Sequence, residues 1–364
     1  MKSKLFILVA LLILLAVVVP AQSRPTRPVH QLMIGSVELK RPGWLKVQTI
    51  NPVKRLDLDD LIKARPSGAK VLCSSIRMKS VPQKNTRVWQ ICPQAEAPKI
   101  KSGLSFVGPT RGGTNPLIPY IISPRKTLVL EDKPLIRWNS IPNATRYTVR
   151  LLGPSGQIWQ TDVTRAEVNY PGTPALQPTV SYALVVQADT GASSTEEGIP
   201  GLGFQRITPL EAKRISEEAA QIAEQDLSND SKAIALAQLY SGEGLYAAAI
   251  QLLQPLSTAK RAEVQAFRSK AAVNGLLGDL YRQVRLNLYA KDTYLEAILL
   301  SKKDGDLEAQ AESQAALGEV YIALRNKTDA VQALTDARSR YIELEGTESV
   351  RAKEIAEQIA TLNQ

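Results

Sequence analysis

LGDLY at residues 277–281 decides the fold of the last part of this chain, because it recurs as LAQLY at 236–240 and as LGEVY at 317–321. The copies begin 41 and 40 residues apart. Nine positions after each tyrosine there is an alanine: Ala249, Ala290 and Ala330. A fixed period of this length is typical of stacked structural repeats. Small residues at fixed positions let two helices cross closely, so the pattern predicts packed helical pairs.

The offsets of these residues resemble those of the tetratricopeptide repeat. Two departures are that Gly244, the glycine between the helices of the first copy, is replaced by Arg285 and Arg325 in the others, and that the period exceeds the usual 34 residues. The resemblance implies an α-helical solenoid over residues 208–364 that binds a protein or peptide partner on its concave face. The first helix of each pair supplies the candidate groove residues: Asn274, Arg282, Gln314 and Glu319.

The start of this array is marked by TPLE at residues 208–211. Threonine before a helix, proline at its first position and glutamate at its third form a capping box. We therefore expect an entry helix at 209–227. A similar apolar period predicts an exit helix at 348–362.

Residues 120–206 predict a β-sandwich. Apolar residues alternate at Tyr147, Val149 and Leu151, and turn residues recur about every ten positions. The spacing of Leu176, Pro178 and Tyr182 resembles the tyrosine corner of fibronectin type III and related immunoglobulin-like domains. The resemblance implies a spacer or binding module in which the Tyr182 hydroxyl bonds to an upstream backbone group. It also implies a core role for Trp138.

Residues 32–95 predict a small β-domain. Short alternating stretches suit half-buried strands, and RPSG at 65–68 predicts a turn between them. GSV at 35–37, DDLI at 59–62 and SGAKV at 67–71 resemble the FecR-like β-domain of bacterial envelope proteins. The resemblance implies envelope sensing or ligand contact and carries over no catalytic residue. Residues 96–119, rich in Pro, Gly, Lys and Ser, predict a linker.

The first 23 residues have the layout of a secretory signal peptide. Lysines precede an apolar stretch at 5–19, and Ala21 and Ser23 suit cleavage after Ser23. Residues 24–31 then form a short leader. The stretch is short for a membrane anchor, although an uncleaved N-terminal anchor is the alternative. The predicted location is the periplasm or cell envelope.

Because export is predicted, the two cysteines bear on whether the chain forms a disulfide. Cys73 and Cys92 are separated by 18 residues, and an oxidising compartment favours a disulfide between them. The alternative is two buried free thiols.

The net charge of +10 is uneven. Residues 31–115 hold 15 Lys and Arg against 5 Asp and Glu, a net of +10, whereas residues 207–364 hold 18 against 23, a net of −5. The basic part favours contact with anionic envelope polymers or lipid headgroups, and solvated surface charge is the alternative. An exported protein is not expected to bind nucleic acid.

Several enzyme classes are excluded by composition. His30, the single histidine, follows a Pro- and Arg-rich stretch that is not expected to place it in a Ser-His-Asp triad, and a histidine or cysteine metal cage needs more ligands than the chain holds. No nucleotide-binding or zinc-protease motif occurs, and we expect no cofactor. Asp57, Asp59 and Asp60 are the densest acidic cluster, and a solvated loop explains them better than paired-carboxylate hydrolysis does.

The sequence thus predicts a multidomain β plus α protein with a small β-domain, a β-sandwich and an α-helical tetratricopeptide-like solenoid. Its predicted function is that of an exported, non-enzymatic scaffold that binds a protein partner through its helical repeats. The alternative is a membrane-anchored envelope signal sensor of the FecR type.

Overall fold

The computed structural model describes residues 30–50, 54–73, 77–92, 112–199, 201–259 and 264–364, without the side chains of His30 and residues 264–269. The predicted signal peptide and most of the predicted leader and linker lie outside these ranges. Within them, β-structure reaches as far as Arg206 and helices fill the rest, which confirms the predicted fold class. No described helix is both long and apolar enough to cross a bilayer.

The small β-domain is an antiparallel sheet built around two long strands. Its elements are β1 (His30–Lys40), β2 (Gln48–Ile50), β3 (Lys54–Leu56), β4 (Leu61–Leu72), β5 (Met78–Ser80), β6 (Thr86–Arg87) and the short helix α1 (Val88–Ile91). Strand β1 pairs with β2, β3 and β4, and β4 also pairs with β5 and β6. Cys73 and Cys92 form a disulfide that joins the end of β4 to the end of α1, and both are buried.

The predicted turn at 65–68 is instead a bulged part of β4. Val37 is opposite Ala64, but Gly35 is opposite Ala69, so β4 accommodates extra residues there. Gly35 has a φ of +72°, and a Cβ on it would lie 2.0 Å from the carbonyl oxygen of Gly68. This close approach of two backbones requires glycine and lets the strand continue past a turn-like sequence.

The sandwich has a sheet of five strands and a sheet of three. Its strands are β7 (Ile121–Ser123), β8 (Thr127–Val129), β9 (Leu135–Trp138), β10 (Tyr147–Gly153), β11 (Gly156–Val163), β12 (Glu167–Asn169), β13 (Ser181–Ala188) and β14 (Phe204–Arg206). The larger sheet has the order β11-β10-β13-β14-β8 and the smaller one β12-β9-β7. The Tyr182 hydroxyl accepts a hydrogen bond from the Gln177 N–H at 2.8 Å, as the sequence predicts. Trp138 is buried and meets Tyr147 edge to face.

The helical array consists of three helical pairs between two flanking helices. Its elements are α2 (Pro209–Ala223), α3 (Asn229–Gly242), α4 (Tyr246–Thr258), α5 (Val264–Gln283), α6 (Asn287–Asp304), α7 (Leu307–Ala323), α8 (Lys327–Glu345) and α9 (Val350–Asn363). The capping box at the start of α2 is present, because the Thr208 hydroxyl accepts from the Glu211 N–H and the Glu211 carboxylate accepts from the Thr208 N–H. The entry helix ends at Ala223, four residues before its predicted end.

Each repeated phrase lies on the first helix of a pair. A Cβ at Gly278 would lie 2.6 Å from the Tyr294 ring, and one at Gly318 would lie 2.6 Å from Leu334, so glycine sets the distance between paired helices. Arg285 and Arg325 have φ of +62° and +59°, close to the +76° of Gly244. The two arginines therefore adopt the left-handed turn that glycine provides in the first copy.

The three modules share apolar cores. One buried cluster joins the small β-domain to α7, α8 and α9, and another packs Met33 and Leu72 against Ile222 of α2 and Ala235 of α3. Ile118 and Tyr120, just before the sandwich, and Ile122 of β7 enter the core of the array. The array is thus in contact with β-structure at several points along its length.

Candidate protein-binding surface

An ion pair bridges two neighbouring repeats on the open surface of the array. The Arg282 guanidinium of α5 lies 2.7 Å from the Glu319 carboxylate of α7. Asp279, one turn before Arg282, contributes a second carboxylate at 3.8 Å from the guanidinium. The side chains of Asp279, Arg282 and Glu319 are 56 %, 43 % and 50 % exposed, so the face that they form is accessible to a partner. We call these three residues the α5–α7 charged face.

A buried tyrosine on the second helix of the pair supports this face from behind. The Tyr294 hydroxyl donates to the Asp279 carboxylate at 2.6 Å, and the Arg282 Nε donates to the Tyr294 oxygen at 3.4 Å. Burial and the Asp279 carboxylate raise the pKa of Tyr294 well above its usual range, so the phenol keeps its proton. The charged face is therefore held in one orientation by hydrogen bonds.

Two of the four predicted groove residues are brought together here, and two are not. Asn274 is buried: its amide oxygen accepts from the Ser257 hydroxyl of α4 and its amide nitrogen donates to the Lys270 carbonyl. Gln314 is half-buried, and its side-chain oxygen is buried and makes no hydrogen bond with the described residues. Both residues stand three positions before the leucine of the repeated phrase, on the side of the helix that packs within the array. The prediction for Asn274 is therefore corrected.

A second charged cluster joins the small β-domain to the array. The Glu308 carboxylate of α7 is 1 % exposed and lies 2.8 Å from Arg41 Nε and 3.0 Å from Lys54 Nζ. Lys54 also lies 3.0 Å from Asp306, the residue that caps α7. Burial favours a neutral amine, but Glu308 and Asp306 outweigh it and raise the pKa of Lys54, so this residue carries its charge into the interface.

The acidic cluster predicted to be a solvated loop has one buried member. Asp57 and Asp59 are exposed, but Asp60 is fully buried. Its carboxylate accepts from the Asp57 N–H at 2.8 Å and lies 3.2 Å from Arg41. Burial raises the pKa of Asp60 to about 7, although the Arg41 charge opposes the rise. No group of three or more His, Cys, Asp or Glu suited to a metal ion occurs among the described residues.

The sandwich is attached to the turns of the helical pairs by a buried arginine. Arg125 is 0 % exposed, and its guanidinium lies 2.7 Å from the Glu197 carboxylate. Its Nε donates to the Val284 carbonyl in the α5–α6 turn at 2.8 Å. At the preceding pair, the Leu128 N–H donates to the Gly244 carbonyl at 2.9 Å. The edge strand of the larger sheet, β8, and the nearby Arg125 therefore contact the turns between the paired helices of the array.

Sequence reasoning missed the residues that connect the modules: Arg41, Lys54, Arg125, Glu197 and Glu308. None of them belongs to the repeated phrase or to a recognised motif. The one sequence feature that pointed to these contacts was the opposite net charge of the basic N-terminal part and the acidic array. That charge predicted binding to outside partners, whereas part of it is used between the modules.

No protein-family model and no curated protein matches this sequence. Among solved structures, the chain is similar to BtubC (BKLC) from P. vanneervenii, with 22 % identity and a TM-score of 0.32 over 42 % of this chain and 63 % of that one. It is also similar to the Podosopora anserina putative kinesin light chain nearly identical TPR-like repeats, with 18 % identity and a TM-score of 0.35 over 43 % of this chain and 77 % of that one. The chain thus spans less than two thirds of BtubC. Similarity at this level identifies no partner.

Proposed function

We propose that this chain is an exported, non-enzymatic scaffold. Its helical array holds a protein partner on the α5–α7 charged face, and its β-modules contact components of the cell envelope. The observation that carries the proposal is the exposed Arg282–Glu319 pair, which lies across two repeats with Asp279 beside it. Stacked repeats are known for the extended surfaces on which they bind other proteins.

The geometry of this face suits recognition by charge and hydrogen bonding. Three ionised side chains are fixed in orientation but remain about half exposed, so a partner can pair with them without burying isolated charges. Exposed pairs of this kind contribute at most about 1 kcal/mol to stability. A role in fold stability therefore explains them less well than a role in binding.

Other features support the finer parts of the proposal. The Cys73–Cys92 disulfide suits an oxidising compartment outside the cytoplasm. In the sandwich, β7, β9 and β12 share one sheet, which suits an immunoglobulin-like or fibronectin type III module. The GSV and SGAKV stretches of the FecR-like resemblance lie on paired strands, since Gly35 is opposite Ala69.

The test uses the full-length chain, because deleting residues 208–364 would expose apolar cores that the modules share. Envelope proteins captured by the wild type are compared with those captured by Arg282→Glu, by Glu319→Arg and by the double variant with both changes. We expect each single variant to lose the same set of proteins. We also expect the double variant not to recover them. It restores an ion pair with the two charges exchanged, and a partner that pairs with each side chain would then meet the wrong charge at both positions.

The matched control is Arg338→Glu, a charge reversal at an exposed position of α8. It should leave capture unchanged, and thermal unfolding should show that all variants remain folded. Recovery of capture by the double variant would mean that the pair only stabilises the packing of α5 on α7. Unchanged capture by all variants would place the partner elsewhere.

A further inference from the structure

One face of the small β-domain carries several lysines and arginines in register. Lys40 of β1 is opposite Leu61 of β4, and Leu61 is opposite Arg87 of β6. Directly opposed residues on neighbouring strands point to the same side of a sheet. With strands about 4.8 Å apart, Lys40 and Arg87 therefore stand about 10 Å apart on one face.

The following positions of β4 add two more cations. Lys63 of β4 is opposite Glu38 of β1, which in turn is opposite Thr49 of β2. Side chains two residues apart on a strand share a face at a spacing of about 6.7 Å, so Lys63 lies on the same side as Leu61. Arg65 begins the bulged part of β4, and the contact of its guanidinium with the Thr49 hydroxyl, at 3.4 Å, places it on this side as well.

This face points away from the core. The residues that alternate with these cations along the strands are buried, among them Leu39, Ile62, Ala64 and Thr86. Lys40, Arg65 and Arg87 are exposed, and Lys63 is 41 % exposed. We call Lys40, Lys63, Arg65 and Arg87 the basic sheet face.

The positive charge of this face is largely unneutralised. Lys63 lies 3.4 Å from Glu38, an exposed pair, whereas Lys40, Arg65 and Arg87 make no ion pair with the described residues. By contrast, Arg41 and Lys54 of the same module are matched by carboxylates of the array. Four cations with one carboxylate among them are complementary to an anionic ligand.

We propose that the basic sheet face binds a linear polyanion whose charges are repeated phosphate groups. A single phosphate can contact one or two of these cations, whereas a chain can contact all four. The large apolar side chains exposed in the described part of this module, Leu45, Val47 and Trp89, lie outside these rows. Leu61, between Lys40 and Arg87, is partly buried, so these rows present no exposed large apolar side chain of the kind that anchors proteins in a bilayer. This inference rests on the proposed envelope contact of the β-modules and is independent of the α5–α7 charged face.

Inorganic polyphosphate is the probe, titrated against the full-length protein at low salt. We expect the wild type to bind it and orthophosphate at the same phosphate concentration to bind at least about tenfold more weakly. The triple variant Lys40→Gln, Lys63→Gln and Arg65→Gln should weaken polyphosphate binding by about tenfold or more. It should also reduce the slope of log affinity against log salt by about 2, because each lost contact removes about 0.7.

The matched control is Lys46→Gln, Lys79→Gln and Lys84→Gln, which removes the same charge from exposed positions of the module outside these rows. It should bind within about twofold of the wild type if position matters more than net charge. Equal weakening of both triple variants would overturn the inference, as would absence of polyphosphate binding by the wild type.

Vesicles that contain phosphatidylglycerol test whether the face binds phosphate groups of a lipid membrane instead of those of a linear polymer. Tighter binding of vesicles than of polyphosphate, lost in the first triple variant, would mean that the face recognises a membrane and would also overturn the inference. Capture of protein partners through Arg282 and Glu319 is measured separately, so failure of polyphosphate binding leaves the proposed partner surface standing.

Discussion

At the scale of single residues, Glu308 shows how the modules are held together by charge. Its carboxylate is almost completely buried and accepts contacts from Arg41 and Lys54, which belong to a different module. A buried ion pair adds little over a well-packed apolar contact, but removing one partner leaves the others uncompensated. Glu308 therefore makes the join between the modules specific.

We predict that Glu308→Gln lowers the free energy of unfolding by about 3 kcal/mol, because Arg41 and Lys54 would keep their charges in a buried interface with one carboxylate fewer. Glu319→Gln on the same helix is the control. Its side chain is 50 % exposed, so the change should be below about 1 kcal/mol. Urea unfolding at neutral pH measures both, and equal effects would contradict the assigned role of Glu308.

At the scale of helices, the spacing within each pair is set by the small residue of the repeated phrase. Gly278 and Gly275 lie one turn apart on α5 but have different surroundings. A Cβ at Gly278 would overlap the Tyr294 ring, whereas a Cβ at Gly275 would meet no atom within 4 Å. The same substitution at these two positions therefore separates packing from helix propensity.

We predict that Gly278→Ala destabilises the chain by about 1–3 kcal/mol, because the ring of Tyr294 must move away from α5. Gly275→Ala should stabilise it by about 0.5–1 kcal/mol, the usual gain from replacing glycine within a helix. Thermal unfolding of the two variants side by side gives the comparison. Stabilisation by both would mean that α5 and α6 are not packed as closely as the structure shows.

Much of the helical array follows from these local rules. The period, the capping box at Thr208 and the small residues predict helix positions and the crossing within each pair. The left-handed conformations of Arg285 and Arg325 could not be predicted from their own side chains, because arginine rarely adopts positive φ. They follow from the closure of the turn between helices that are already packed.

At the scale of the whole molecule, Arg125 connects the sandwich to the array. Its guanidinium lies beside Glu197 of the sandwich, and its Nε bonds to the α5–α6 turn. The apolar contacts of Ile118, Tyr120 and Ile122 with the array lie next to it in the chain. Separate unfolding of the two modules would expose all of these groups.

We predict that Arg125→Met lowers the free energy of unfolding by about 3–5 kcal/mol, because the nearly buried Glu197 carboxylate loses its cation. Arg150→Met, on the partly exposed surface of the same sandwich, should cost less than about 1 kcal/mol. Differential scanning calorimetry of both variants provides the measurement. A loss of less than about 1 kcal/mol for Arg125→Met would mean that the buried pair does not hold the modules together.

The amino-acid sequence by itself determined the parts that depend on neighbours along the chain. The repeat period predicts helical pairs, and alternation predicts strands. The spacing of Leu176, Pro178 and Tyr182 predicts a hydroxyl-to-backbone bond, which is present. In each case the interacting residues lie within one element or in adjacent elements, so periodicity and turn chemistry are sufficient.

Only the tertiary structure decided which surfaces remain available for binding. Asn274 and Arg282 lie on the same helix, yet packing against α4 buries the first and leaves the second exposed. Likewise, Lys54 forms an ion pair with Glu308, which lies more than 250 residues later in the chain, while Lys40 remains exposed. Such contacts join residues distant in sequence, and their energy depends on burial and distance, which no local pattern of residues encodes.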